Sequence, residues 1–139
     1  TIEYSEHHAE VARQNIHQAG LTHCVTLHTG AALDILPDLE APFDLIFIDA
    51  DKVNNPRYLE WAIRLSRPGT VIVGDNTVRG GQVLDAESHD PNVRGLREFV
   101  RMIAEDERLD ATAIQTVGEK GWDGFVLALV KAGRAVSPG

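Results

Sequence analysis

Two short motifs, DADK and GDN, hold the side chains of this sequence that are best suited to chemistry. DADK supplies Asp49, Asp51 and Lys52, GDN supplies Asp75 and Asn76, and each motif follows a run of apolar residues. Charges at the end of a buried strand are costly unless they bind or react with something. Asp49, Asp75 and the amide oxygen of Asn76 offer three hard oxygen ligands, which suit Mg²⁺ first and Ca²⁺ or Mn²⁺ as alternatives. We therefore predict a divalent cation site.

The same acids could instead cap the helices that follow the strands or face solvent, which is the commoner fate of a single acid at such a junction. The presence of two motifs weakens this alternative, because each follows an apolar run and one helical stretch joins the two runs. The ends of neighbouring parallel strands lie about 4.8 Å apart, so carboxylates at these ends can share one cation.

Lys52 is a candidate general base. It stands three residues after Asp49 and can reach back over a bound cation. A lysine near a divalent cation in a pocket of low polarity releases its proton more readily than a lysine in water, which suits it for base catalysis. The alternative is a solvated surface lysine that pairs with Asp51.

Glu3 is a candidate residue for binding a nucleotide. An acid that ends the second strand of a nucleotide-binding sheet accepts hydrogen bonds from a ribose diol. The glycine-rich turn that accompanies such an acid should lie about twenty residues earlier, which would place it before Thr1. We therefore expect the chain to begin partway through a domain.

Composition narrows the class of protein. The chain has 139 residues, of which 43% are hydrophobic and 24% charged, and its net charge is −8. A negative charge argues against binding to nucleic acid, and no apolar run reaches the length of about 18 residues that a membrane span needs. The single cysteine, Cys24, fits a reducing cytoplasm. The six histidines have no metal-binding arrangement and are expected to be solvated or partly buried.

Helical stretches alternate with apolar runs along the chain. This alternation predicts an α/β fold, a Rossmann-like, doubly wound and mostly parallel sheet with one antiparallel strand added at its edge by a C-terminal hairpin. Ligands then bind beyond the carboxyl ends of the strands. We predict one domain over 1–131 and a flexible tail over 132–139. The predicted helices cover 6–19, 31–36, 55–66 and 92–106, and the predicted strands cover 1–3, 24–28, 43–48, 70–74, 112–117 and 124–131.

The stretches FDLIFIDADKVNN, GTVIVGDNTVRGGQV and GWDGF resemble the cation-dependent O-methyltransferases of the caffeoyl-CoA and catechol type. The resemblance runs from Glu3 to about Lys131. It implies the class I methyltransferase fold without its N-terminal part, and a homodimer. It also implies transfer of a methyl group from S-adenosylmethionine to a hydroxyl of a small ortho-dihydroxy aromatic acceptor.

The resemblance assigns roles residue by residue. Glu3 would bind the ribose hydroxyls of S-adenosylmethionine, Gly30 and Ala32 would contact the cofactor with Ala32 against the adenine, and Asp49 and Asp51 would lie near it. The metal ligands and the base are those named above: Asp49, Asp75, Asn76 and Lys52.

Three departures from the family pattern concern the acceptor: Asn55, the stretch Arg79-Gly80-Gly81, and Trp122. Two other functions remain open. A nucleotide-binding oxidoreductase would also use an acid such as Glu3, although it leaves DADK and GDN unexplained. A chain without the glycine turn could also be a non-catalytic fragment or binding module.

Overall fold

A computed structural model describes residues 1–119 and 121–132. The chain folds into two compact units, residues 1–40 and a second unit that begins at Ala41. The predicted tail, 132–139, lies outside the described residues except for Ala132. No helix in the part of the chain that the structure describes is long and apolar enough to cross a membrane.

The first unit contains two short parallel strands and two helices. These are β1 (Ile2–Glu3), α1 (Glu6–Gln18), β2 (His28–Thr29) and α2 (Ala32–Ile35), followed by a 3-10 turn, Leu36–Asp38. Ser5 is the N-cap of α1, as predicted, and its side chain accepts a hydrogen bond from the N–H of His8.

β2 is shorter and lies later than predicted. The N–H groups of Cys24 and Val25 both donate to the carbonyl oxygen of Leu21, at 3.0 and 3.1 Å. These bonds close a turn after α1, so this part of the chain cannot extend into a strand. The predicted strand over 24–28 is therefore wrong except at His28, where β2 begins.

The second unit carries a four-stranded sheet and two helices. Its elements are β3 (Phe43–Ile48), a 3-10 turn (Lys52–Asn54), α3 (Asn55–Arg64), β4 (Ser66–Asp75), a second 3-10 turn (Arg79–Leu84), α4 (Pro91–Glu105), β5 (Leu109–Gly118) and β6 (Gly121–Val130). β4 includes the predicted turn over 67–69 as an irregularity, because Phe43 pairs with Ser66 whereas Leu45 pairs with Val71.

The strands of this sheet follow the order β3-β4-β6-β5. β3 and β4 are parallel, and β6 is antiparallel to both β4 and β5. One antiparallel strand was predicted and is found, but its predicted position at the edge is wrong. β6 lies inside the sheet and β5 forms the edge. Burial differs between the two strands in keeping with this order, since Val126, Ala128 and Val130 of β6 are buried whereas only Leu109 of β5 is.

α3 and α4 cover one face of this sheet. Leu59, Ile72, Leu96 and Phe99 are fully buried between them and the strands. Gly74 in β4 makes room for Phe99, because a Cβ at position 74 would lie only 2.5 Å from the Phe99 ring. The helices therefore pack closely against the strand that ends in Asp75.

The opposite face of the sheet is apolar and exposed. Alternate residues point to the same face of a strand, and Val71 of β4 pairs with Leu45 on one side and Leu129 on the other. Val73 likewise pairs with Phe47 and Leu127. The exposed side chains of this apolar sheet face are Leu45, Phe47, Leu127 and Leu129.

Candidate functional site

The carboxyl ends of β3 and β4 bring two acids to neighbouring positions. Ile48 of β3 pairs with Gly74 of β4, so Asp49 and Asp75 follow directly on adjacent parallel strands. Asn76 comes next and adopts a left-handed conformation with φ of 56°. Its N–H donates to Oδ1 of Asp75 at 2.7 Å. The sheet therefore places the three predicted metal ligands along one short edge.

Lys52 is buried beside Asp49. The residue is only 5% exposed, and its Nζ lies 3.3 Å from Oδ1 of Asp49, whose own side chain is half exposed. The alternative of a solvated lysine paired with Asp51 is therefore wrong. α4 fixes the turn that carries Lys52, because a Cβ at Gly95 would lie 2.4 Å from the Lys52 carbonyl oxygen.

Asp51 is held by two side-chain donors. Tyr58 Oη donates to Oδ1 of Asp51 at 2.5 Å, and Asn54 Nδ2 donates to Oδ2 at 2.6 Å. Burial and the contact with Asp51 raise the pKa of Tyr58 well above its usual value, so the phenol remains a donor. Both carboxylate oxygens of Asp51 are thus oriented by the first turn of α3 and the residues before it.

Asn55 opens α3 with a fully buried side chain. Neither the amide oxygen nor the amide nitrogen has a hydrogen-bond partner within the described residues. Buried polar groups normally have a partner in the protein or in ordered water. Asn55 therefore supplies an unsatisfied amide three residues after the DADK motif, at a position that the sequence marked only as a departure from the family pattern.

Sequence reasoning missed Asp123, which anchors the stretch after the GDN motif. Its Oδ1 accepts hydrogen bonds from the N–H groups of Val78, Arg79 and Gly124, at 3.1, 2.8 and 2.9 Å. Burial disfavours the charged form, but these N–H groups and the Asn76 side chain outweigh it and lower the pKa of Asp123. Its place in the GWDGF stretch, between Trp122 and Gly124, was the only feature of the sequence that marked it.

The first unit brings together its own predicted site residues. Glu3 ends β1, and its backbone oxygen accepts a hydrogen bond from the N–H of Gly30 at 2.9 Å. Oε1 of Glu3 accepts a hydrogen bond from the N–H of Ser5 at 2.7 Å. Gly30 has φ of 142°, a conformation that favours glycine. Ala32 is the first residue of α2, whose N-cap residue makes no side-chain hydrogen bond to the helix.

A cavity of about 920 Å³ opens beside Asn76, between the 3-10 turn Arg79–Leu84 and the adjoining end of the β5–β6 hairpin. Arg79, Gly80, Trp122 and Asp123 line it. A smaller cavity of about 470 Å³ between α3 and α4 contains none of the residues that follow the strand ends. The larger cavity is therefore the one that is lined by a predicted metal ligand, Asn76.

The histidines and the cysteine form no competing metal site. Within residues 1–119 and 121–132, no three side chains of His, Cys, Asp or Glu are grouped so that they could hold a metal ion. The predicted set differs in that its third ligand is an amide. The metal site therefore stays a prediction that rests on Asp49, Asp75 and Asn76.

Comparisons with known proteins identify relatives of this chain. The sequence profile of the O-methyltransferase family matches residues 1–131. The chain is 58% identical to a catechol O-methyltransferase of Mycobacterium tuberculosis, over 94% of this chain and 60% of that protein. It is 53% identical to a catechol O-methyltransferase of Niastella koreensis, over 94% of this chain and 61% of that protein.

A solved structure shows the same fold. The O-methyltransferase from Bacillus cereus in complex with SAH is 57% identical, with a TM-score of 0.92, and the match covers 94% of this chain and 61% of that one. The chain thus spans about 60% of the length of the relatives it matches. On the profile match, the sequence identities and the shared fold, this chain belongs to the O-methyltransferase family.

Proposed function

We propose that this protein transfers a methyl group from S-adenosylmethionine to a hydroxyl of a small ortho-dihydroxy aromatic acceptor, with the help of a divalent cation. The observation that carries the proposal is the buried Lys52, with its Nζ 3.3 Å from Asp49 and with Asp75 on the adjacent strand. Membership of the O-methyltransferase family supports it. So do the similarity to the catechol O-methyltransferase of Mycobacterium tuberculosis and the SAH in the Bacillus cereus structure.

Five residues would bind the cofactor. Glu3 would accept hydrogen bonds from the ribose hydroxyls, while Gly30 and Ala32 would lie against the adenosine. Asp49 and Asp51 would lie near the cofactor, and Tyr58 and Asn54 hold Asp51 in place. When bound, S-adenosylmethionine supplies the methyl group from its sulfonium.

Asp49, Asp75 and Asn76 would hold the cation. Two carboxylates and one amide oxygen at one sheet edge form the hard, oxygen-only ligand set that Mg²⁺ prefers, and Ca²⁺ or Mn²⁺ would also fit it. When bound, such a cation binds two adjacent hydroxyls, fixes their position and makes them more acidic.

Lys52 would act as the general base. In its neutral form, Nζ of Lys52 would take the proton from the hydroxyl whose oxygen then attacks. Asp49, 3.3 Å away, would stabilise the ammonium that forms. Burial of Lys52 restricts water around this nitrogen, so the proton passes between the acceptor and the amine rather than to solvent.

Two further proposals concern the assembly and the alternatives. We expect the protein to be a cytoplasmic homodimer that acts on small phenolic substrates. Sedimentation velocity would measure its oligomeric state. Family membership favours methyl transfer over hydride transfer, so the oxidoreductase is the weaker alternative. The non-catalytic fragment remains a distinct outcome of the activity test.

The test measures methyl transfer to a panel of ortho-diphenols with and without EDTA, using the full product of the gene. We expect EDTA to abolish turnover, Mg²⁺ to restore it, and Asp75→Ala to lose it. Asp110→Ala, at an exposed position of β5, serves as the matched control and should retain turnover.

Binding of Mn²⁺ and binding of S-adenosylmethionine, the latter by calorimetry, are measured beside this assay. Binding of Mn²⁺ followed by electron paramagnetic resonance should be lost in Asp75→Ala and retained in Asp110→Ala. Turnover that is indifferent to EDTA would overturn the metal site, and failure to bind S-adenosylmethionine would overturn the proposed function.

A further inference from the structure

Trp122 lies against a turn that only glycine permits. Gly80 and Gly81 have φ of 60° and 90°, which favour glycine. A Cβ at Gly81 would lie 2.9 Å from Cη2 of Trp122, closer than a side chain allows. Trp122 nevertheless remains 44% exposed. An indole supported on one side by a glycine turn thus presents flat apolar surface to the cavity beside Asn76.

Arg79 places an unpaired cation in the same cavity. Its Nε is buried and has no hydrogen-bond partner in the described part of the chain, where no acid lies within ion-pairing distance of its guanidinium either. Leaving a buried charged donor unsatisfied is costly. The residue is also held in a left-handed conformation, with φ of 50°, by the bond from its N–H to Asp123. The side chain as a whole is only partly buried, so its Nε can still receive an acceptor from a ligand in the cavity.

The acids around Arg79 do not supply that acceptor. Oδ1 of Asp123 already accepts three backbone N–H bonds, and Glu119 lies in an exposed part of the cavity wall. A guanidinium is a planar fork whose paired N–H groups match a carboxylate. A small planar carboxylate in the cavity could satisfy Arg79 while its ring lies along Trp122.

We propose that Arg79 and Trp122 select aromatic acceptors that carry a carboxylate. The inference rests on the proposed function and narrows its substrate class. The dihydroxy edge of the ring would face Asn76, the ring would stack on Trp122, and the carboxylate would bind Arg79. A cavity of about 920 Å³ is large enough for a single ring with a short acidic side chain.

The kinetic test compares two acceptors that differ in one charge: 3,4-dihydroxybenzoate and its methyl ester. For the unmodified protein, we expect kcat/KM to be at least about tenfold higher for the acid, the ratio that one charge-assisted hydrogen bond produces. Arg79→Gln should remove this preference by raising KM for the acid while kcat stays within about threefold. Arg79→Lys should restore part of it, because it keeps the charge and loses the fork.

Two further variants separate selection from folding. Arg94→Gln removes the same charge from an exposed position of α4 and should leave the preference unchanged. Trp122→Phe keeps an aromatic ring and should raise KM for the acid and the ester alike. Equal loss of both acceptors in Arg79→Gln, or a preference of the unmodified protein for the ester, would overturn the inference.

A binding measurement keeps this inference distinct from the proposed function. In a Trp61→Phe background, Trp122 is the remaining tryptophan, so quenching of its fluorescence reports occupancy of the cavity. Tighter binding of the acid than of the ester, lost in Arg79→Gln, supports the inference even where no methyl transfer is detected. Equal binding of the acid and the ester overturns it even where turnover of other diphenols is established.

Discussion

At the scale of single residues, Lys52 combines burial with a half-exposed partner. Asp49 balances the charge of the lysine, and the exposed side of Asp49 remains available for a ligand. Water screens the interaction between a surface lysine and its partner. Lys52 is buried, so its interaction with Asp49 is screened less. Burial beside the strand-end acid Asp49 is the structural reason to propose Lys52 as the base.

Replacing Lys52 tests that assignment. Lys52→Met keeps an unbranched side chain, shorter only by the amine nitrogen that it removes, so we expect kcat to fall by about 10²–10⁴-fold, the usual contribution of a general base. The affinity for S-adenosylmethionine, measured by calorimetry, should stay close to its unmodified value. Lys131→Met, at an exposed position, is the control. A kcat of Lys52→Met within threefold of that of the unmodified protein would show that Lys52 is not the general base.

Some site residues could be predicted from the sequence because their positions follow from strand ends. Asp49 and Asp75 each follow an apolar strand, and neighbouring parallel strands bring such positions together. Asp123 could not be predicted, because its role depends on which backbone groups of a distant turn reach it. The buried, unsatisfied amide of Asn55 was equally hidden, since burial of a polar residue is decided by tertiary packing.

At the scale of elements, α4 positions the turn that carries Lys52. Gly95 allows this approach, because a Cβ there would meet the Lys52 carbonyl oxygen at 2.4 Å and Cα of Val53 at 2.9 Å. Both contacts are with backbone atoms, which cannot rotate away as a side chain can. The fit between helix and turn is therefore sensitive to a single methyl group.

Gly95→Ala should destabilise the protein although alanine is the better helix former. The gain in helix propensity is about 0.5–1 kcal/mol, whereas forcing an extra methyl group into a packed contact costs about 1–3 kcal/mol. We expect the free energy of unfolding, measured with urea, to fall by about 1–2 kcal/mol. Gly118→Ala is the control, because a Cβ there meets nothing within 4 Å. An unchanged free energy in Gly95→Ala would mean that the helix shifts freely.

The elements themselves were predicted unequally. The strand over 43–48 was predicted to the residue, because a short apolar run between turns has few other solutions. The predicted bounds of α4, 92–106, lie one residue later than the observed bounds, Pro91–Glu105. The helix begins earlier because Asp90 is its N-cap. The order of the hairpin strands was missed because strand order depends on which strand is the more apolar and on how the sheet is covered, and local periodicity carries neither.

At the scale of the whole molecule, the apolar sheet face is a feature that the proposed chemistry does not use. Leu45 is 62% exposed and Phe47 59% exposed. Both pair with valines of β4, which in turn pair with the exposed leucines of β6. Contiguous apolar patches of this kind mark contacts with other protein surface or cause aggregation. The 139-residue chain should therefore self-associate in solution.

Leu45→Ser combined with Phe47→Ser should reduce that association. We expect the double variant to sediment as a smaller species than the unmodified chain and to bind less of the dye ANS, because the patch loses its two most exposed members. Leu84→Ser removes an 80% exposed leucine that lies outside the sheet and should change neither property. Equal sedimentation of the double variant and the unmodified chain would show that association does not use this face.

The contact between Gly81 and Trp122 restricts how this protein can change over generations. The two positions share one volume, so any side chain at 81 has to compete with the ring at 122. A mutant with a larger residue at 81 has to move or lose the indole before it gains anything, whereas a mutant that first loses the indole frees position 81 to vary. Descendants with a different acceptor range should therefore acquire the substitution at 122 before the substitution at 81.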